Sequence, residues 1–110
     1  MSDSIPSEIT EEPVVVRADE RYELRLGELL AGFSEFSIDA RGRLVFIHTE
    51  IDPAFEGRGY GSKLVSAAMA DVAARGETVV PRCPFVSRYL SRHDVDGLQV
   101  DWPIRRAAGE

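Results

Sequence analysis

A thiol, an imidazole and a carboxylate that could do chemistry together, Cys83, His48 and Glu50, flank a glycine-rich segment, Glu56-Gly57-Arg58-Gly59-Tyr60-Gly61-Ser62. Alternate glycines let the main chain turn with no Cβ in the way, so a ligand can come close to the backbone. An amphipathic helix is expected directly behind them, and its first N–H groups are unpaired and carry partial positive charge. Together these features make an anion site whose natural guest is a phosphate or pyrophosphate. The plainer reading is a strand-to-helix turn that uses glycine for geometry alone. Three glycines in five residues cost about 1 kcal/mol each against alanine inside regular structure, so idle use is the poorer reading.

Cys83 is the sharpest candidate for reactivity. It follows Arg82, stands at the expected start of a helix, and has Arg88 about a turn and a half further on. A helix N-terminus and neighbouring cations both favour a thiolate, a nucleophile that could carry a transferred group covalently. It also reads as a small buried apolar residue. His48 and Glu50 are two apart on one strand and share a face. Leu44 and Phe46 are in the same phase, so a partly buried, neutral, base-competent His48 is expected, with Glu50 acting directly or through a water. Hydrogen-bonded packing is the bland reading of that histidine. His93 is ten residues from Cys83, about 15 Å along a helix, and is expected at the helix C-terminus instead. Tyr89 is a candidate proton donor or a core residue, and Trp102 is expected to cover the core. Two histidines and one cysteine at unrelated positions make no metal site.

The elements that must position these groups can be read coarsely. Tyr22–Leu26, Leu29–Ile38 and Arg43–Ile51 read as three strands of a meander joined by turns at Gly27-Glu28 and Asp39–Gly42, with Gly32 a candidate bulge. Val14–Arg17 adds a short edge strand. Leu64, Val65, Ala68, Met69 and Val72 recur at helical spacing between Ser62 and Arg75, and Gly76 supplies the stop. Thr78–Pro81 should be a short strand parallel to Arg43–Ile51, because the helix crosses over between them. Pro84 opens a second helix running to about His93, and 97–104 is a last extended segment.

The loop discriminates among phosphate binders. A dinucleotide fingerprint needs its third glycine where Ser62 stands, and a Walker loop needs a lysine and hydroxyl spacing absent here. What fits is [RQ]-x-x-G-x-[GA], with Gly59 and Gly61 in the small positions and Glu56 where Arg or Gln is usual. In this the chain resembles the GNAT superfamily of acyl-CoA-dependent N-acetyltransferases. It is closer still to a very small subgroup carrying His-Thr-Glu before the loop and Pro-x-Cys after the helix, here His48-Thr49-Glu50 and Pro81-Arg82-Cys83. The resemblance covers roughly 22–102. It implies an α+β fold, a mixed sheet of antiparallel meander plus one parallel strand with two helices, lacking the helices that larger relatives insert between the first two strands. It also implies acetyl-CoA as co-substrate, with pantetheine along the main chain of Glu50 and Ile51. The pyrophosphate would lie on amides of Gly57, Arg58, Gly59, Tyr60, Gly61 and Ser62, and Cys83 where the parallel strands splay. The open acceptor side suits an amine on a small molecule or on a protein. An acyl-CoA-binding module or sensor with little transferase activity is the alternative, and slow thioester hydrolysis through Cys83 a third reading.

Composition sets the frame. The chain of 110 residues allows one domain with a modest core, at 14–104, between an acidic tail at 1–13 and a frayed end at 105–110. Four carboxylates of the tail account for most of the net charge of −6, leaving about −2. The tail has neither the basic nor the apolar region of a targeting signal. No apolar run approaches the roughly 20 residues that span a bilayer, and no basic stripe marks nucleic-acid binding. A single cysteine fits a reducing cytoplasm, and an arginine-rich composition with Lys63 the one lysine fits a bacterial source. A monomer is expected, or a weak homodimer paired through the first-strand edge.

Overall fold

The computed structural model describes residues 12–103; the acidic tail up to residue 11 and the C-terminal residues from 104 lie outside the described residues. Six strands form one sheet in chain order: β1 (Val14–Arg17), β2 (Arg21–Leu26), β3 (Leu29–Ile38), β4 (Leu44–Ile51), β5 (Thr78–Pro81) and β6 (Gln99–Val100). The first four are antiparallel neighbours, and β5 and β6 continue parallel to β4. Helix α1 (Tyr60–Ala74) joins β4 to β5 and helix α2 (Pro84–Arg92) joins β5 to β6, the crossover that parallel neighbours require. This is the expected α+β, GNAT-like architecture, with the short β6 as a second parallel strand.

Both helices contribute to one core. Leu64, Val65, Ala68, Met69 and Val72 form the buried stripe of α1, and Val86 of α2 joins them against Tyr22, Leu24, Phe36, Leu44 and Phe46 of the sheet. Burying each large side chain in that stripe contributes about 1.5–3 kcal/mol. The end of α1 is fixed by Gly76 at φ 71°: its N–H donates to Ala73 O and the Glu77 N–H to Val72 O, satisfying carbonyls that the helix leaves open. Beside it, Arg17 of β1 donates to Glu77 at 2.7 Å and to the Tyr22 hydroxyl at 3.2 Å, and Tyr22 donates to Asp71 Oδ2 at 2.6 Å. Burial pushes the Tyr22 hydroxyl well above its usual range. Burial also raises Asp71, but the Tyr22 hydroxyl and the Arg75 guanidinium outweigh it and hold the carboxyl below the ordinary value. The network pins the edge of the sheet to the helix.

Two bulges interrupt the meander. Leu24 pairs with Gly32 but Arg25 with Leu30, so Ala31 is the extra residue, next to the glycine expected there. Gly32 itself is needed for close approach. A Cβ on it would collide with the Ile51 side chain and stand 2.8 Å from the Glu50 carbonyl oxygen, so its absence lets β3 lie close against the end of β4. The second bulge lies in β4, where Glu35 pairs with His48 but Phe36 with Phe46, leaving Ile47 over. From there the alternation changes phase, and Thr49 and Ile51, not His48 and Glu50, continue the face of Leu44 and Phe46.

Candidate functional site

The loop between β4 and α1 is built to leave amides free. Asp52 caps a single 3-10 turn, Pro53–Phe55, its carboxylate accepting from the Ala54 N–H at 2.9 Å. The Glu56 N–H reaches Pro53 O, and the next backbone bond is that of Lys63 N–H to Gly59 O at 3.1 Å. Between them the amides of Gly57 through Ser62, six in a row, have no partner among the described residues. The glycines serve two purposes. Gly57 and Gly59 sit at φ 82° and 77°, a conformation glycine adopts without penalty, with open space where a Cβ would be. Gly61 has ordinary helical geometry, and a Cβ on it would strike the Phe85 ring of α2. Helix α1 starts at Tyr60, two residues before Ser62, where the helical spacing begins, and Gly59 is its cap.

These amides border a cleft of about 480 Å³ whose far wall is the end of β4, from Thr49 to Ile51. That is the size of a small-ligand pocket. Glu56 is a lining residue as well. Arg58 is not among the lining residues; its guanidinium is 5.7 Å from the centre of the Phe55 ring, which does line the cleft. A phosphate fits the cradle on the donor set alone: consecutive N–H groups, a helix N-terminus behind them and no Cβ in the way.

Strands β4 and β5 part at this point. Their last paired residues are Phe46 and Pro81, and the N–H groups of Arg82 and Cys83 both close on Phe46 O, at 3.0 and 2.8 Å. Beyond, β4 stays with β3 while the chain turns into α2 with Cys83 as its N-cap. The wedge is filled by polar side chains. Cys83, 2% exposed, donates from Sγ to Thr49 Oγ1 at 3.3 Å, and Thr49 Oγ1 lies 2.8 Å from the buried Ser34 Oγ. Thr49 also lines the cleft, so it links the thiol to the ligand space.

The expectation of a partly buried His48 is corrected by the bulge at Ile47. His48 and Glu50 remain on one face, joined Nε2 to Oε1 at 3.0 Å, but they are exposed, on the side of the sheet opposite the Cys83 thiol. Their neighbours there are Phe33, 6.0 Å from the His48 ring, and the Arg21 guanidinium, 4.8 Å over Phe33. Thr49 and Ser34 were missed in the sequence because unbroken alternation puts Thr49 outside. The missing signal is a β-branched pair, Thr49 and Ile51, in the same phase as Ile47. His93 sits at the end of α2 as expected, its Nδ1 3.0 Å from Tyr89 O and its ring stacked on a half-buried Tyr89. Trp102 is half exposed and does not close the core.

Among the described residues no group of three or more His, Cys, Asp or Glu could hold a metal ion, and no helix is long and apolar enough to cross a membrane. No curated protein matches the chain. A family model described as GCN5-related N-acetyl-transferase matches residues 21–98, from the second strand through the approach to the last, including the cradle, the cleft and the Thr49–Cys83 wedge. The chain belongs to the GCN5-related N-acetyltransferase family.

Proposed function

We propose that the chain is an acetyl-CoA-dependent N-acetyltransferase acting on an amine carried by a small molecule or a protein. The observation that carries this reading is the run of six unpartnered amides at the start of α1, opening on a cleft that continues along β4 to the wedge. Gly57 through Ser62 would hold the pyrophosphate of acetyl-CoA, and the main chain of Glu50 and Ile51 its pantetheine. The thioester then lies toward Thr49 and Cys83. In the transfer the amine nitrogen attacks the thioester carbonyl carbon, the C–N bond forms, and the C–S bond breaks with its electron pair on sulfur. The amine loses one proton and the departing sulfur gains one. Glu50, a lining residue of the cleft, is the proposed proton acceptor, directly or through a water, with His48 hydrogen-bonded to it at 3.0 Å on the outer face of the sheet.

A route through Cys83 is supported by its place at the N-cap of α2, beside the cleft-lining Thr49. Sγ would attack the thioester carbonyl carbon, the bond to the CoA sulfur breaking and the thiol proton ending on that sulfur as CoA leaves; the amine would then take the acetyl group, the C–Sγ bond breaking and a proton from the amine returning to Sγ. Release of free CoA thiol from acetyl-CoA across a broad amine panel tests the transferase, and Cys83→Ser tests the route. Turnover unchanged in Cys83→Ser removes the covalent intermediate and leaves direct attack. Glu56 in the loop, where Arg or Gln is usual, favours a second reading, an acyl-CoA-binding module. Acetyl-CoA binding with no thiol release across the whole panel would establish that one instead.

A further inference from the structure

On the other side of Cys83 lies a second concavity of about 490 Å³, separate from the cleft. Its walls are Arg82, Ser87, Arg88 and Ser91 with Trp102, closed at the ends by prolines. Pro84, Ser87, Arg88 and Ser91 recur at three and four residues along α2, so they form one polar stripe, while Phe85, Val86, Tyr89 and Leu90 turn the opposite stripe to the core. Like Arg41, Arg58 and Arg92, the two guanidiniums have no carboxylate within 4 Å among the described residues, and of these five arginines Arg82 and Arg88 are the pair that line one groove together. A half-exposed indole completes the wall.

Arg82 and Pro84 line this groove, and Cys83 between them turns its thiol to Thr49, a residue of the cleft. Cys83 thus stands between two groove residues along the chain and touches a cleft residue through its thiol. The geometry points to the groove as the place where the amine acceptor anchors an oxyanion of its own, a carboxylate or a phosphate on a planar or apolar body. Two guanidiniums supply charge-assisted donors for the oxyanion, and Trp102 supplies a face for the body. The acceptor class is thus an amine that also bears an acid, and its anchoring next to Cys83 presents the amine at the wedge. Its role as an acceptor site rests on the transferase reading; the binding itself does not.

Trp102 is the only tryptophan of the chain, so its fluorescence reports the groove directly. Phenylalanine and phenyl phosphate serve as carboxylate and phosphate probes, to about 10 mM, and phenylalanine amide as the probe without an oxyanion. A saturable change with either oxyanion, absent with the amide and weakened about tenfold by each of Arg82→Gln and Arg88→Gln, is the expected result. Whichever probe responds names the oxyanion. No saturation with either oxyanion, an equal response to the amide, or an unchanged response in the double variant would overturn the inference. Melting with acetyl-CoA, measured on the same variants, separates the two readings. A retained acetyl-CoA shift with a silent groove removes the groove alone. A responding groove without any acetyl-CoA shift removes its role as an acceptor site.

Discussion

Replacing Thr49 by valine keeps the shape of the side chain and deletes the oxygen on which two partners converge. The Thr49 Oγ1 atom lies 2.8 Å from Ser34 Oγ and accepts from Cys83 Sγ at 3.3 Å. Ser34 is fully buried, so the variant leaves its hydroxyl facing a methyl group with no water to turn to. An orphaned buried hydroxyl costs about 1–3 kcal/mol, whereas removing both members of a pair is nearly neutral. Thr49→Val should therefore lose about 2 kcal/mol in urea unfolding, and Ser34→Ala/Thr49→Val should recover most of it. The double variant still leaves Cys83 without its partner. Its acetyl transfer, measured as CoA thiol released, should stay low although its stability has returned. A double variant less stable than Thr49→Val alone would refute the hydrogen-bond reasoning. Full activity in the double variant would show that Thr49 only fills space.

Gly59→Ala and Gly42→Ala should each cost about 1–2 kcal/mol, since both glycines have positive φ with open space around them; only Gly59→Ala should also reduce the melting shift given by acetyl-CoA. Gly61→Val should destabilise by about 1–3 kcal/mol through the clash with Phe85, and Phe85→Leu in the same chain should recover part of the loss in a thermal melt. The Glu23 carboxyl is held below its usual range chiefly by the Arg25 guanidinium, with Arg21 adding to it against the cost of burial. A folded value below the unfolded one gives stability that is complete above the unfolded value and lost as pH falls through the folded one. Glu23→Gln should thus be less stable than the parent by on the order of 1 kcal/mol above about pH 5, a gap that narrows below about pH 4 in urea titrations.

The parts of the fold that depend on local chemistry were readable in the chain. The stripe from Leu64 to Val72 and Gly76 behind it specify α1 and its end, and Pro84 after Cys83 places the start of α2. The loop could be recognised because its glycines, its strand and its helix lie within one continuous segment. What stayed hidden depends on contacts between distant residues. The bulge at Ile47 is set by the pairing of β4 with β3 and β5 together, and regular alternation through Leu44, Phe46, His48 and Glu50 masks it. One extra residue there moves Thr49 inward and His48 outward, which rearranges the candidate site. Gly61 likewise reads as part of the phosphate loop, but its need for glycine comes from Phe85, 24 positions away. Trp102 follows a two-residue strand, too short for its burial to be inferred from pattern.

The cradle of amides is the part of the site on which the remaining roles depend, and thermal unfolding with and without excess acetyl-CoA tests it most directly, with ATP and NAD as controls. Ligand at about a hundred times its dissociation constant adds about 2.7 kcal/mol, a rise of about 10 °C in a domain of this size. The expected result is that rise with acetyl-CoA, absent with NAD and ATP, and diminished in Gly59→Ala. An unchanged melting temperature with acetyl-CoA, or an equal rise with ATP or NAD, would contradict the assignment of the loop to acyl-CoA.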